Sequence, residues 1–221
     1  MNPSADVIQP VTPLILCNGT PTSVNFTTIN TGGLTTYSWT NNTPSIGISS
    51  TGIGSIATFP VANLGTAPLT ASLSVTPTFT NASKSCSGAT KTFSITINPT
   101  AQVNQPNSQV KCNGESTTPV AFSTQNTVGT TTYSWTNNNI SIGLTNQGNG
   151  NLDSFDAINN FILTQQDQQA TIVLVPTAFN CNGISDTFNI TVHPLPIVYA
   201  GADTSLCFGQ CLILSASGTA I

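Results

Sequence analysis

The strongest constraint on this chain is that its sequence repeats itself. Cys-Asn-Gly at residues 17–19 recurs at 112–114, an offset of 95 (112 − 17). Tyr-Ser-Trp-Thr-Asn-Asn at residues 37–42 recurs unchanged at 133–138. Self-similarity at a fixed period indicates tandem copies of one structural unit, so the fold must be one that a single repeat can form.

The repeats also predict the domain boundaries. We expect a first repeat over residues 4–99, a second over 100–194 and the opening fragment of a third over 195–221. Each complete repeat has the length of a small domain. The chain is expected to be a piece of a longer exported protein, whose signal peptide lies outside this sequence.

Within each repeat, apolar residues alternate with Thr, Ser and Asn. The runs 69–75 and 93–97 are clear examples. A period of two is typical of antiparallel strands with one buried face, and Gly, Pro and Asn clusters separate the runs as they do in sandwiches. The sequence therefore predicts an all-β protein of tandem immunoglobulin-like β-sandwiches, with about seven strands each.

Charged side chains are scarce. Lys and Arg number 3 and Asp and Glu 7, which is 5% of the 221 residues and gives a net charge of −4. Binding to phosphates or to anionic lipid headgroups needs a cluster of Lys and Arg. We therefore expect no nucleic-acid partner, and the lack of a long apolar run predicts no direct membrane insertion.

The same scarcity argues against catalysis. In the first repeat Asp6 is the only acid, and the chain's single histidine, His193, stands beside Pro194 at a repeat junction. General acid–base and nucleophilic mechanisms both need titratable groups brought together. The sequence predicts no enzyme, no catalytic residue and no cofactor.

A metal site is also not expected. No Cys-x-x-Cys pattern is present, which argues against zinc. Asp153 and Asp156 could share a calcium ion if carbonyl and amide oxygens completed its shell, but their spacing matches no dedicated calcium loop. The alternative interpretation is a solvated turn.

Six cysteines in a chain with so little chemistry indicate an oxidising compartment. The simplest pairing lies within each repeat, Cys17 with Cys86 and Cys112 with Cys181; free buried thiols or a metal site are the alternatives. Cys207 and Cys211 lie in the third fragment. Their pairing is uncertain, because the repeat pattern assigns Cys207 a partner further along the chain, while Cys211 has no counterpart.

Tyr37 and Trp39 lie on the same face of one predicted strand, as do Tyr133 and Trp135. A Trp on a central strand is usually a core residue of an immunoglobulin-like sandwich. The alternative is a sugar-stacking platform, which would require both rings to lie outside the core. The prediction is a structural aromatic core.

These motifs resemble a known family, the PKD-like repeats of very large surface proteins of Bacteroidota. The resemblance rests on the Cys-x-Gly opening, the Tyr-x-Trp strand, the Val-Thr-Pro-Thr segment at 75–78, the Cys-x-Gly of 86–88 and the strand ending in Asn98-Pro99. It implies export by the type IX system and display at the cell surface, as in gliding-motility adhesins of the SprB type. One departure is that Asn41-Asn42 stands where members close to the original PKD pattern carry acidic residues.

Together the observations predict a non-catalytic stalk or spacer segment of a giant extracellular adhesin, for surface adhesion or gliding motility. Its expected partners are neighbouring repeats of the same chain, and a surface polysaccharide or another cell-surface protein. The alternative is a carbohydrate- or polymer-binding module whose variable segments, 51–68 and 147–169, recognise the ligand. A third hypothesis is ice or mineral adhesion through a flat Thr-rich face.

Overall fold

The structure, a computed structural model, describes residues 3–10, 12–201, 203–209, 211, 213 and 215–218. The chain forms two compact units. The first comprises Met1–Gln102, Gln125–Thr131 and Thr177–Gly183, and the second comprises Val103–Thr124, Thr132–Pro176 and Ile184–Ile221. Two segments that belong to the second repeat by sequence therefore belong to the first unit in space.

The first repeat contains eight β-strands over residues 14–98. They are β1 (Leu14–Cys17), β2 (Pro21–Val24), β3 (Leu34–Asn41), β4 (Thr51–Ile53), β5 (Ile56–Pro60), β6 (Leu69–Asn81), β7 (Lys84–Ser87) and β8 (Lys91–Asn98). One sheet has the order β1-β8-β6-β3-β4, with β7 pairing with β6, and β2 and β5 form a second sheet.

The strand order explains the fold class. β1 pairs with β8 in parallel, whereas the other pairs in both sheets of this repeat are antiparallel. The order β8-β6-β3-β4 corresponds to the G-F-C-C′ sheet of immunoglobulin variable-type domains, and the two-stranded sheet covers it on the other side of the core. The predicted immunoglobulin-like β-sandwich is confirmed.

The core of the first repeat lies between these two sheets. Alternate residues of β6 and β8 point into it, which is why the sequence alternates there. Ile46 follows β3 on a short 3₁₀ turn (Pro44–Ile46) and is fully buried. The cluster also includes Val7, Val24, Phe26, Trp39, Ile56, Phe59, Val61, Ala71, Leu73, Val75, Phe93, Ile95 and Ile97.

The second repeat contains six strands over residues 109–193. They are β9 (Gln109–Cys112), β10 (Thr131–Asn137), β11 (Gln147–Asn149), β12 (Gln168–Ala178), β13 (Cys181–Asn182) and β14 (Asp186–His193). The sheet order is β11-β10-β12-β14-β9, with β13 pairing with β12. Isolated bridges join Ser116 to Asp156 and Val120 to Leu152, at the position that the β2–β5 sheet has in the first repeat.

The second repeat has an equivalent core. Ile142, on the 3₁₀ turn Ile140–Ile142, is fully buried like Ile46. The cluster also includes Phe122, Trp135, Leu144, Leu152, Ala157, Ala170, Ile172, Leu174, Phe188, Ile190 and Val192. In the third fragment, β15 (Val198–Tyr199) pairs with β16 (Ser217–Gly218).

A proline inside the longest strand of each repeat marks a change of partner. β6 pairs with β8 as far as Val75 and with β7 from Thr78 onward, and Pro77 lies between. Pro176 has the same place in β12, between the β14 and β13 pairings. Proline cannot donate a ladder hydrogen bond, so it is tolerated where one partner strand ends and the next begins.

Candidate functional site

Titratable side chains do not converge anywhere in the described part of the chain. No group of three or more His, Cys, Asp or Glu side chains that could hold a metal ion occurs there. The Asp156 carboxylate accepts a hydrogen bond from the Ser116 hydroxyl at 2.7 Å, and His193 Nδ1 lies 2.6 Å from the Asp167 carboxylate on the surface. The positions of the cysteines are therefore the most informative chemistry in the molecule.

The opening cysteine of the first repeat lies at the end of β1. Cys17 is opposite Asn98, the last residue of β8. The next two residues turn the chain: the Asn18 N–H donates to the Asn98 carbonyl at 3.0 Å and the Gly19 N–H donates to the Val61 carbonyl at 2.7 Å. Gly19 has φ 81°, a left-handed conformation that favours glycine, which explains the Cys-Asn-Gly motif.

A buried asparagine supports this turn. The Asn63 N–H donates to the Asn18 side-chain oxygen at 2.7 Å. The Asn63 amide donates to the carbonyls of Ile97 at 2.7 Å and Ala67 at 2.9 Å. Asn63 is only 5% exposed and its bond to Ile97 is fully buried, so this bond satisfies a carbonyl that is shielded from water.

The opening cysteine of the second repeat has the same local structure. Cys112 lies opposite His193, the last residue of β14. The Asn113 N–H donates to the His193 carbonyl at 2.8 Å, and Gly114, with φ 84°, donates to Ala157 at 2.7 Å. Asn159, fully buried, takes the role of Asn63: its N–H donates to the Asn113 side chain and its amide donates to the Val192 carbonyl.

The second cysteine of each repeat lies on a β-hairpin at the other end of the long strand. Cys86 is opposite Phe79, and Cys181 is opposite Ala178. Phe79 and Ala178 each follow the strand proline by two residues, so the two cysteines are equivalent. In the first repeat the hairpin continues two residue pairs further, with left-handed turn residues Ala82 and Ser83.

This geometry corrects the predicted pairing of Cys17 with Cys86. Along β6, Leu69 lies at the Cys17 end, opposite Ile97, and Phe79 lies opposite Cys86. Ten residues of strand span about 33 Å, whereas bonded cysteines have Cα atoms about 4.4–6.8 Å apart. The two thiols are at opposite ends of the sandwich and cannot pair.

The predicted Cys112–Cys181 bond is ruled out by the same measure. Gln168 lies opposite Val192 at the Cys112 end of β12, and Ala178 lies opposite Cys181 at the other end. This is again ten residues of strand, or about 33 Å. In both repeats the parallel pairing of the first strand with the last strand separates the cysteines.

The structure contains instead a disulfide between Cys17 and Cys181, which are 164 residues apart in sequence, with their Cα atoms 5.6 Å apart. Both cysteines belong to the first compact unit, which includes Thr177–Gly183. The opening cysteine of the first repeat is therefore joined to the hairpin cysteine of the second. The bond connects two copies of the repeat and not two strands of one copy.

Hydrogen bonds within the first unit accompany the disulfide. The Thr127 N–H donates to the Thr66 carbonyl at 3.0 Å. The Asn126 side chain accepts from the Gln102 N–H at 2.8 Å and donates to the Thr100 carbonyl at 3.3 Å. Residues 125–127, from the second repeat by sequence, are thus tied to the end of the first unit that carries Cys17.

The remaining cysteines of the two complete repeats, Cys86 and Cys112, are free thiols. Cys86 is a partly buried thiol and Cys112 an exposed one. Cys207 and Cys211 lie on the surface of the third fragment. Gly209 has φ 88°, in the same left-handed region as Gly19 and Gly114.

The aromatic residues of the repeated strand face the cores. Trp39 is 8% exposed and Trp135 7% exposed, and Tyr37 and Tyr133 pack against the same clusters. Burial raises the pKa of both Tyr hydroxyls, and the Asp6 carboxylate adds to the effect at Tyr37. The tryptophan rings therefore do not offer exposed faces on which a sugar could stack.

Sequence reasoning missed several residues with clear structural roles. Asn63 and Asn159, described above, gave only a weak signal, since asparagine is common throughout the chain. Gly52 and Gly148 lie so close to the Trp39 and Trp135 rings that an added Cβ would sit 2.0 Å and 2.2 Å from the ring carbons. The occurrence of glycine at the same position of both repeats is the sequence feature that indicates the role of Gly52 and Gly148.

Among the described residues, no helix has the length and apolar character needed to cross a membrane. No protein-family model matches the sequence, and no curated protein matches it.

Several solved structures align with most of this chain at low sequence identity. EC22-24 of mouse cadherin-23 is 12% identical over 88% of this chain and 67% of that chain, with a TM-score of 0.42. The fibronectin(III)-like modules of Clostridium thermocellum CbhA are 11% identical over 86% of this chain and 95% of that chain, with a TM-score of 0.33. The insect immune protein hemolin is 11% identical over 88% of this chain, with a TM-score of 0.35, and this chain spans 48% of its length. The fold assignment rests on the strand order of the two sheets.

Proposed function

We propose that this chain is a non-catalytic, load-bearing repeat segment of an exported cell-surface adhesin. The observation that carries the proposal is the Cys17–Cys181 disulfide, which joins successive repeats. A module that only had to be stable could place its disulfide within one sandwich. A disulfide that joins two repeats can transmit tension between them when the chain is pulled at its ends.

The disulfide alters what a pulling force can extend. When the ends of the chain are pulled, tension passes from Cys17 to Cys181 through the sulfur atoms. Residues between them carry no load even if a sandwich unfolds, because the covalent bond is the shorter path. The residues inside the loop are therefore protected from extension, whereas β14, which supplies Phe188, Ile190 and Val192 to the second core, lies outside the loop and carries the load.

The proposed location follows from the same bond. Disulfides form and persist in oxidising compartments, which include the cell surface. A surface with 5% charged residues relies on Thr, Ser and Asn for hydration, and these side chains do not change charge with the medium. The motifs that resemble PKD-like repeats of Bacteroidota surface proteins support adhesion or gliding motility as the role of the parent protein.

Single-molecule stretching between the two termini tests the proposal. In the oxidised chain the 164-residue loop stays closed, and adding reductant should release one step of about 57 nm, at about 3.5 Å per residue. Bonds within each repeat would enclose 69 residues each (86 − 17 and 181 − 112), and would give two steps of about 24 nm.

Two variants serve as controls. Cys17→Ser should extend fully without reductant, whereas Cys112→Ser should behave like the unmodified chain. Full extension of the unmodified oxidised chain would contradict the proposal, and so would two short steps on reduction.

The alternative of a carbohydrate- or polymer-binding module stays a prediction. Its proposed segments, 51–68 and 147–169, contain the exposed apolar residues Ile53, Leu64 and Leu163. No described feature of those segments favours a particular ligand.

A further inference from the structure

Two free cysteines, Cys86 and Cys112, occupy positions whose equivalents in the other repeat form a disulfide. Cys112 is an opening cysteine like Cys17, and Cys86 is a hairpin cysteine like Cys181. One example of each position is in a disulfide and the other example is free. The structural equivalence of the positions indicates which kind of cysteine would form a disulfide with each free thiol.

The two opening positions share the strand pairing, the glycine turn and the asparagine hydrogen bond that shape them. Cys17 and Cys112 each end the first strand opposite the last residue of the closing strand. The Cys-Asn-Gly turns have φ values of 81° and 84° at glycine, and a buried asparagine holds each turn in place. Cys112 is exposed, so a second thiol can reach it.

The two hairpin positions are equivalent as well. Cys86 and Cys181 each pair with the residue two positions after the strand proline. The hairpin of the first repeat is longer by two residue pairs, and an even-numbered change keeps each side chain on the same face of a strand. Both hairpins close through two left-handed residues, Ala82-Ser83 and Phe179-Asn180.

We propose that Cys112 forms a disulfide with the hairpin cysteine of a following copy of the repeat, and that Cys86 forms one with the opening cysteine of a preceding copy. The partner is in each case another copy of this sandwich, and the bonded pair is the one seen in Cys17–Cys181. Each complete repeat would then carry two staples, one to each neighbour. The disulfides form a continuous series along the array.

The within-repeat alternative is excluded by distance. The two cysteines of one repeat are separated by ten residues of strand, about 33 Å, in both copies. Unfolding of a sandwich would be required to bring them together. Only a neighbouring repeat can present a hairpin cysteine to an opening cysteine while both sandwiches stay folded.

The bond-forming step needs an oxidant, which we take to be a small disulfide such as oxidised glutathione. The Cys112 thiolate attacks one sulfur of the small disulfide and releases one thiolate. The partner cysteine's thiolate then attacks the Cys112 sulfur and releases the second. Two protein thiols lose two protons and two electrons, and one small disulfide is reduced to two thiols.

The inference rests on the proposed function and deepens it, because a continuous series of staples would leave only short stretches of each repeat extensible. In an array of such repeats, tension would pass from one disulfide to the next. The partner of the load-bearing segment is therefore its own neighbouring repeat, joined covalently.

The test lengthens the full chain by one more copy of residues 100–194, inserted after Pro194. In the staple variant, Ser replaces all cysteines except Cys112 of the original copy and the residue equivalent to Cys181 in the inserted copy. In the matched control variant, Cys112 and Cys181 of the original copy are the two that remain. Both variants have two thiols and the same composition, and differ only in which repeat supplies the hairpin cysteine.

Each variant is equilibrated with reduced and oxidised glutathione, alkylated and weighed as the intact protein. The staple variant is expected to form an intramolecular disulfide with an equilibrium constant on the order of 100-fold above that of the control, because folding holds its two thiols together. Equal constants for the two variants, or a bond only in the control, would overturn the inference. Circular dichroism of both variants checks that the sandwiches are folded.

A third variant of the unlengthened chain, with only Cys17 and Cys181 retained, separates this inference from the proposed function. If that variant forms its disulfide and the staple variant does not, the inference is wrong while the basis of the proposed function stands. If the Cys17–Cys181 variant stays reduced, the proposed function fails as well. Should the staple variant not fold, the lengthened chain with all its cysteines is mapped by proteolysis after an Ile184→Val mass label is placed in the inserted copy.

Discussion

Cys17 and Cys112 have nearly identical surroundings and different covalent states. Each ends a first strand, precedes a left-handed glycine turn and is supported by a buried asparagine. Cys17 is in a disulfide and Cys112 is a thiol. The comparison teaches that local sequence fixes where the thiol lies, whereas the bond depends on whether another repeat brings a hairpin cysteine to it.

A smaller difference separates the two sites. At the second, the Cys112 N–H donates to the Glu115 carboxylate at 3.0 Å, and the Lys111 ammonium lies 2.9 Å from the other oxygen. The first repeat has Thr20 in place of Glu115 and Leu16 in place of Lys111. The unbonded site therefore carries a charged pair that the bonded one lacks.

The largest difference in stability is expected between a variant that loses the Cys17–Cys181 disulfide and one that loses only the Cys112 thiol. Cys17→Ser opens the 164-residue loop and should lower the free energy of unfolding by about 5 kcal/mol under the chain-entropy model. Cys112→Ser should leave it unchanged. Urea unfolding, followed by Trp39 fluorescence in a Trp135→Phe background, measures both variants.

Reductant provides the control for that experiment. It should lower the stability of the unmodified chain to that of Cys17→Ser and have no effect on the variant itself. Equal losses from Cys17→Ser and Cys112→Ser would show that the two sites do not differ in covalent state.

An intermediate effect is expected from the asparagines, which test how alike the two sites are. Asn63→Ala and Asn159→Ala each remove the side-chain donor to one buried carbonyl, that of Ile97 or of Val192. Each should cost about 2–3 kcal/mol, since an unsatisfied buried polar group carries about 1–3 kcal/mol.

The Asn→Asp variants sharpen this measurement, because Asp keeps the acceptor oxygen and loses the amide donor. A loss of unfolding free energy for the Asn63 variant and none for the Asn159 variant, or the reverse, would mean that the two asparagines do not have equivalent structural roles. Unfolding is followed through Trp39 for the first site and through Trp135, in a Trp39→Phe background, for the second.

The smallest effect is expected from Glu115. The hydrogen bond from the Cys112 N–H, with the Lys111 side chain adding to it, lowers the Glu115 pKa below its usual 4.5. Because the folded-state pKa is depressed, the contribution to stability is present above pH 4.5 and is lost as the pH falls through the lowered value. Thermal unfolding of the unmodified chain and Glu115→Gln between pH 7 and pH 3 should show a small difference that vanishes at low pH. A difference that grows as the pH falls would contradict the assignment.

Much of the fold could be predicted because it follows from local patterns. The alternation in β6 and β8 gave both the strands and the buried face, since successive side chains in a strand point to opposite sides. Trp39 and Trp135 lie where a central-strand tryptophan is expected. The number of strands was less accessible than the expected seven: eight lie within residues 14–98 and six within residues 109–193, because the segments equivalent to β2 and β5 make only isolated bridges in the second repeat.

The cysteine pairing could not be read from the same patterns. Within-repeat pairing assumed that two cysteines in one sandwich lie near each other. β1 runs parallel to β8, which places Cys17 at the end of β8 while Cys86 lies before its start. The direction in which the first strand docks is a tertiary property that alternation and spacing do not encode.

The sequence by itself determined the period, the strand-forming runs, the turn glycines and the near absence of titratable groups. These are properties of single residues or of neighbours along the chain, such as the left-handed conformation at Gly19 and Gly114. Only the tertiary structure decided that Cys17 bonds to Cys181 and that Asn63 and Asn159 support the cysteine turns. The physical reason is that a disulfide or a buried hydrogen bond depends on a distance of a few ångströms between residues far apart in sequence, and that distance is set by how whole strands pack.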